Sequence, residues 1–297
     1  MSAAPPSICF VIPYFGKWPF WMPFFLASCR ANPSIDWLLF SDCGQIEDCP
    51  PNVRIIDTDY ASYCARIART LDIPFQPQNP YKLCDLKPAL GYIHESDLHG
   101  YDFWAFGDLD LVFGDLRAYF TAERLARKDI FSTHARRISG HCCLVRNTRE
   151  MREAFFLMTA WKRRLSDPMH QGVDEGAFSR LFIRRKNWPH ALARLSWLLN
   201  PWYRRAEFVE AFSTPDAKVA WIDGSYVFPR RWCWRAGVLS CDRADERTFP
   251  YVHFLRWKGL EWKRLGAEAM LGYPQLAREP AWDVTAHGFF PAGQGED

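Results

Sequence analysis

Four short, predominantly apolar runs constrain this chain more than any other feature. They are Ile8–Pro13 (ICFVIP), Trp37–Phe40 (WLLF), Val53–Ile56 (VRII) and Tyr101–Phe106 (YDFWAF). Each is too short for a stable helix and too apolar for a half-wet strand, so each predicts a strand buried on both faces, as in parallel sheets. Between them, Trp18–Ala31, closed by Asn32-Pro33, and Ala61–Leu71 carry helical patterns. This rhythm predicts an α/β fold built on an open mixed sheet with helices on both sides.

Further along, Tyr81–Glu95 reads as a loop entering a helix, and Ala122–Lys128, Thr148–Arg164 and Val173–Leu181 read as helices. Ile130–Thr133 and Cys142–Val145 read as strands. Beyond residue 184 the pattern loses regularity. The expected organisation is a core over residues 1–182 and a mostly helical or irregular C-terminal lobe over 183–297.

The end of the fourth run carries the chemistry. Phe103-Trp104-Ala105-Phe106-Gly107 delivers Asp108 and Asp110, one residue apart, at the C-terminal end of a strand, where open α/β sheets bind ligands. Alternate residues of an extended chain point the same way, so the two carboxylates can converge on one cation. Hard oxygen ligands suit Mg²⁺ or Mn²⁺, ions that commonly keep bonds to substrate phosphates. A bare D-x-D is also a common solvated turn; its position midway along a βα chain favours the metal reading.

Composition narrows the partners. A net charge of +3 on 297 residues is too small for a nucleic-acid surface. The 14 tryptophans suit either core filling or stacking on sugar faces. Ten cysteines occur without a CxxC pair, several inside apolar runs where they read as small buried hydrophobes. No signal-like segment stands at residues 1–7 and no apolar run reaches membrane-spanning length. Together these predict a cytoplasmic protein.

With these motifs in view the chain resembles the GT-A glycosyltransferases, and more closely glycosyltransferase-like proteins encoded among bacterial surface-polysaccharide genes. The segments that carry the resemblance are VIPYFGKWP, YKLCDLKPALGYI, YDFWAFGDLDLVFGDL, GHCCLVRN, DEGAFS and YVHF, spread from Ile8 to about Lys258. The resemblance implies a Rossmann-like GT-A fold and transfer of a hexose from a nucleotide-sugar, a UDP-sugar by analogy, to a saccharide or lipid-linked saccharide in surface-polysaccharide synthesis. Mn²⁺ or Mg²⁺ would be the cofactor.

It also implies roles for individual residues. Pro13 and Tyr14 would line the base pocket, and Asp42 would sit near the base or ribose. Lys82, Asp85 and Lys87 would serve the donor, a lysine there holding a diphosphate or sugar hydroxyl as a compact charge; Lys87-Pro88 reads equally well as a helix start. His253, in Tyr251-Val252-His253-Phe254, would complete the metal shell with a nitrogen, although a histidine among aromatics is also an ordinary core residue. Lys258 would reach the diphosphate. The family's Gly-x-x-Lys-Pro run is replaced here by Leu-Arg-Trp-Lys-Gly. Asp174 and Glu175 are candidates for the base that an inverting enzyme needs, or else acids stabilising a helix N-terminus. His141 would contact donor or acceptor sugar, or merely open a strand. The motifs do not distinguish among sugars or stereochemical outcomes.

Residues 184–205 (RRKNWPHALARLSWLLNPWYRR) contain Arg184, Arg185, Lys186, Arg194, Arg204 and Arg205 and no acid. Leu192, Leu195 and Leu199 follow helical spacing, the pattern of a helix lying on an anionic membrane or of one packed on the core with a basic rim. Two other functions use parts of the same pattern: a metal-dependent nucleotidyltransferase or diphosphate hydrolase, and a non-catalytic carbohydrate-binding protein. No GxxxxGK or HExxH motif supports the former.

Overall fold

The computed structural model describes residues 4–185, 188–244, 246–266 and 270–294. Its centre is a seven-stranded mixed sheet in the order β3-β2-β1-β4-β7-β6-β8. The strands are β1 (Ile8–Pro13), β2 (Ile35–Ser41), β3 (Val53–Asp57), β4 (Phe103–Gly107), β6 (Ile130–Ser132), β7 (Cys142–Arg146) and β8 (Ala206–Phe208). The first four lie parallel, whereas β7 runs antiparallel to both β4 and β6.

The apolar runs divide their side chains between two cores. Ile8, Phe10, Ile12, Phe103 and Ala105 pack on the side of helix α1 (Met22–Arg30), with Phe25 and Leu26. Cys9, Val11, Trp104 and Phe106 pack on the other side, with Tyr63 and Ile67 of helix α2 (Tyr60–Leu71). Period-2 side-chain direction thus turns each continuous run into two half-layers. The expected sheet and its flanking helices are both present.

Two local expectations are corrected. The helix expected over Thr148–Arg164 is broken into Arg149–Glu153, a 3₁₀ turn at Ala154–Leu157 and a helix at Trp161–Ser166. Met158 is extended and Ala160 is left-handed, at φ 56°, which allows Phe155, Phe156 and Trp161 to pack on one another. No Gly or Pro marks the break, so aromatic packing outweighs local propensity there. The segment around Lys87 is a 3₁₀ helix, Pro80–Ala89, continuing as Leu90–Ile93.

The C-terminal region, expected to be mostly helical or irregular, also carries a four-stranded antiparallel sheet in the order β10-β9-β12-β13. Its strands are β9 (Arg231–Arg235), β10 (Val238–Cys241), β12 (Ala281–Thr285) and β13 (Gly288–Pro291). A two-residue hairpin joins β9 to β10, with Ala236 at φ 46° and Gly237 at φ 90°, the pair of positive values that a type I′ turn needs. Trp232, Trp234, Trp282 and Phe289 gather here with Phe24 of α1 in a third core. Trp37, Trp104, Trp232 and Trp282 are all fully buried, so much of the tryptophan content is core.

Two strand pairings tie the C-terminal half to the N-terminal half. β8 pairs with β6 as its outer strand. β11 (Tyr251–His253) pairs antiparallel with β5 (Leu111–Phe113), with His253 opposite Leu111. No described helix is long and apolar enough to cross a membrane.

Candidate metal and donor-binding centre

Because β1, β2 and β4 are parallel, their C-terminal ends lie along one edge of the sheet, and Tyr14, Asp42 and Asp108 follow directly from those ends. The two-stranded β5–β11 ladder then brings His253 beside Asp110, 143 residues away in sequence; its Nε2 lies 3.2 Å from Asp110 Oδ2. One ligand atom each from Asp108, Asp110 and His253 lie within 4.8 Å of one another.

Asp110 is only 2% exposed. Its Oδ2 meets Lys258 Nζ at 2.6 Å, while its Oδ1 is buried without a hydrogen-bond partner. Burial opposes ionisation of this carboxyl, but His253 and Lys258 outweigh it and hold the pKa far below the usual carboxylate range. Lys87 Nζ lies 2.5 Å from Asp108 Oδ1; burial pushes its pKa down, and the Asp108 carboxylate overcomes this and keeps the amine charged. The centre is thus two carboxylates, one imidazole and two lysines, open to solvent on the side of Asp108 and Lys258, whose side chains are each 32% exposed. The donor set and the orphaned lone pair of Asp110 fit a divalent cation such as Mn²⁺ or Mg²⁺.

A second layer holds the imidazole. His141 stacks on His253 at 4.1 Å, and its Nε2 lies 2.9 Å from the Tyr251 hydroxyl, which donates to Thr133 Oγ1 at 2.6 Å. Burial, and next the neighbouring His253, push the His141 pKa well below its usual value, so this ring is neutral. Thr214 Oγ1 lies 3.3 Å from His253 Nδ1, and Ser213 O accepts from the His253 backbone N–H. Trp21 Nε1 donates to Leu109 O at 3.0 Å and braces the D-x-D turn. Thr133, Ser213, Thr214, Trp21 and the Tyr251 hydroxyl were not anticipated from sequence, because isolated hydroxyl and indole groups in irregular segments carry no local signature.

Asp174 is buried, and burial raises its pKa against the opposing effect of Lys87. A Cβ on Gly140 would lie 2.5 Å from Asp174 Oδ2, so the carboxylate sits where only glycine leaves room. Glu175 is half-exposed and pairs with Arg137 at 2.8 Å. Lys82 and Asp85 are inside the protein. Lys82 Nζ meets Asp85 Oδ2 at 2.9 Å and donates to the Arg164 and Met169 carbonyls, while Asp85 accepts from the Gln171 and Val173 N–H groups. Together they clamp the loop that leads into Asp174. Pro13 ends β1; Tyr14 stacks on Trp18 at 5.7 Å, and Asp42 accepts from Gly16 N. Of the residues singled out from sequence, Asp108, Asp110, His253, Lys87, Lys258, His141 and Asp174 therefore cluster, and Tyr14 and Asp42 stand along the same edge. Lys186 lies outside the described residues.

A separate cavity of about 600 Å³, lined by Leu26, Ile46, Trp234 and Ala277, shares no residue with this centre. Arg30 and Arg278 on its rim both pair with Asp48.

Residues 10–264 match the family of unknown function DUF6625. The chain belongs to DUF6625. No curated protein matches this sequence. Among solved structures, this DUF6625 member is similar to the galactosyltransferase LgtC in complex with donor and acceptor sugar analogs, at 10% identity over 70% of this chain and 74% of that one, with a TM-score of 0.38. It is also similar to mouse xyloside xylosyltransferase 1 in its apo form, at 9% identity over 84% and 98% of the two chains, TM-score 0.44. The glycosyltransferase GlyE of Streptococcus pneumoniae TIGR4 matches at 11% identity over 70% of this chain and 46% of its own, TM-score 0.30. At these scores the likenesses transfer neither a residue role nor a substrate to DUF6625.

Proposed function

We propose that the protein is a metal-dependent GT-A glycosyltransferase that moves a hexose from a nucleotide-sugar, with UDP as the nucleotide, to a saccharide or lipid-linked saccharide in surface-polysaccharide synthesis. The observation that carries this reading is the convergence of Asp108, Asp110 and His253 past the C-terminal edge of the sheet, with one Asp110 oxygen buried and unpartnered. A nucleotide-sugar's diphosphate supplies the charge that such a cation centre and two adjacent lysines would match.

In this reading Asp108, Asp110 and His253 hold Mn²⁺ or Mg²⁺. Bound there, such a cation would supply Lewis-acid neutralisation of diphosphate charge. Lys87 and Lys258 turn from the carboxylates to diphosphate oxygens, and Pro13, Tyr14 and Asp42 receive the base and ribose. His141 stays neutral and packs its ring on His253, while Thr214 holds His253 Nδ1, as hydrogen-bond partners of metal-bound imidazoles commonly do. Asp174, whose buried carboxyl holds its proton more tightly than usual, accepts the acceptor hydroxyl's proton, with Glu175 beside it on the acceptor side. Lys82 and Asp85 position this acceptor side from within the core. Residues 1–182 form the donor-binding core, and residues 183–297 a lobe that returns to it through His253. Buried thiols such as Cys9, Cys29, Cys142 and Cys143 suit a reducing cytoplasm.

The test is thermal stability with UDP-, GDP-, CDP- and dTDP-sugars, each with and without Mn²⁺. A shift from UDP-sugars that requires the metal supports the donor site. No shift from any nucleotide would overturn the reading in favour of a non-catalytic carbohydrate-binding protein.

A further inference from the structure

The helix His190–Leu198 is packed with its leucines outward. Its inner side is Ala193, which is buried, and Trp197, which packs on the main core. Asn200 locks the following turn by donating to the Leu181 and Phe182 carbonyls at 2.7 and 2.8 Å, and Trp197 Nε1 donates to Arg184 O. Leu192, Leu195, Leu198 and Leu199 are 49–69% exposed, and Trp188 is 46% exposed. At about 100° per residue the four leucines share one stripe, opposite Ala193 and Trp197, and Trp188 lies just before the helix. Single exposed leucines are ordinary, but a contiguous apolar stripe on a monomer marks a binding surface.

The charge around the stripe has one sign. Arg184, Arg185, Arg194 and Arg204 are exposed, and none has a carboxylate partner among the described residues; Arg205 is spent on Asp129 and Glu150. The Arg185 guanidinium sits 4.2 Å over the Trp188 ring. A second copy of this face would bring two sets of arginines together, an arrangement that like-charge repulsion disfavours.

We propose that this face docks on an anionic lipid bilayer, with the leucines and Trp188 at the acyl boundary and the arginines on lipid phosphates. Asn200 ties the surface to the helix Ser179–Phe182, which continues directly from the turn carrying Asp174 and Glu175. The membrane would therefore lie on the acceptor flank of the centre. The proposal does not depend on glycosyl transfer, since vesicle binding is read without turnover.

The test is co-sedimentation of the full chain with vesicles of phosphatidylcholine alone or with about 30% phosphatidylglycerol, the latter also at about 0.5 M NaCl. The protein is expected to pellet with the anionic vesicles, weakly with the neutral ones, and less at high salt. Combined Leu192→Ser, Leu195→Ser and Leu199→Ser should abolish pelleting without lowering the melting temperature, because these side chains touch solvent. Arg184→Gln with Arg194→Gln should weaken binding about 25-fold, taking about fivefold for each arginine at a lipid surface. Absence of anionic-vesicle binding, or undiminished binding by the serine variant, would overturn the proposal. So would a concentration-dependent dimer that the serine variant dissolves while vesicles bind nothing, which would assign the face to a second copy.

Discussion

Replacing Gly91 by Ala tests how tightly the strand that delivers the D-x-D pair is packed. A Cβ at residue 91 would lie 2.3 Å from Trp104 Cε2, 2.6 Å from Nε1 and 2.7 Å from Cζ2, against the 3.5 Å or more at which carbon atoms rest. Trp104 is fully buried on β4, so its ring has nowhere to retreat and the short helix Leu90–Ile93 must lift from the sheet. Overpacking of this kind costs about 3 kcal/mol. Alanine in a helix returns about 1 kcal/mol relative to glycine, which leaves about 2 kcal/mol of net destabilisation. For a chain of this size that is a melting-temperature drop of about 3 °C. The assay is thermal unfolding of Gly91→Ala beside Gly259→Ala, a position where a new Cβ meets nothing within 4 Å. Combining Gly91→Ala with Trp104→Leu should cost less than the two changes summed, because the second removes the atoms that the first strikes. A Gly91→Ala protein as stable as the parent or more so, the outcome helix propensity alone dictates, would refute the packing argument.

Three further outcomes are expected. Asp110→Asn should remove the metal-dependent stabilisation by nucleotide-sugars and lower turnover by more than about 100-fold; full turnover would exclude the metal role. Lys82→Met leaves the Asp85 carboxylate buried without its cation and should cost about 3–5 kcal/mol in denaturant unfolding, with nucleotide affinity of the folded fraction unchanged; lost affinity at unchanged stability would instead make Lys82 a ligand contact. Burial works against ionisation of Asp129, but hydrogen bonds from Arg205 and Arg146 lower its pKa overall. Its contribution is therefore fully present above the unfolded value of about 3.9 and lost as pH falls through the lower folded value. Asp129→Asn should flatten that acid limb in urea midpoints measured against pH, and an unchanged limb would count against the pairing.

The sequence by itself determined the sheet and the two carboxylates. Continuous apolar runs such as ICFVIP and FWAFG can only be strands covered on both faces, and a strand of that kind places the residues after it at a ligand-binding edge. The hairpin at Ala236-Gly237 was not read from the sequence: the alternation in RWCWR is short and does not stand out in a region of scattered tryptophans. Tertiary structure decided what joins the carboxylates. His253 reaches Asp110 only through the β5–β11 register, and Lys87 and Lys258 arrive from elements with no local link to them. It also decided that the stretch from Met158 to Ala160 breaks a helix and that the leucines of His190–Leu198 face solvent. Periodicity and propensity are properties of neighbours along the chain, whereas strand register and the choice of which helix face is buried are set by partners far away in sequence.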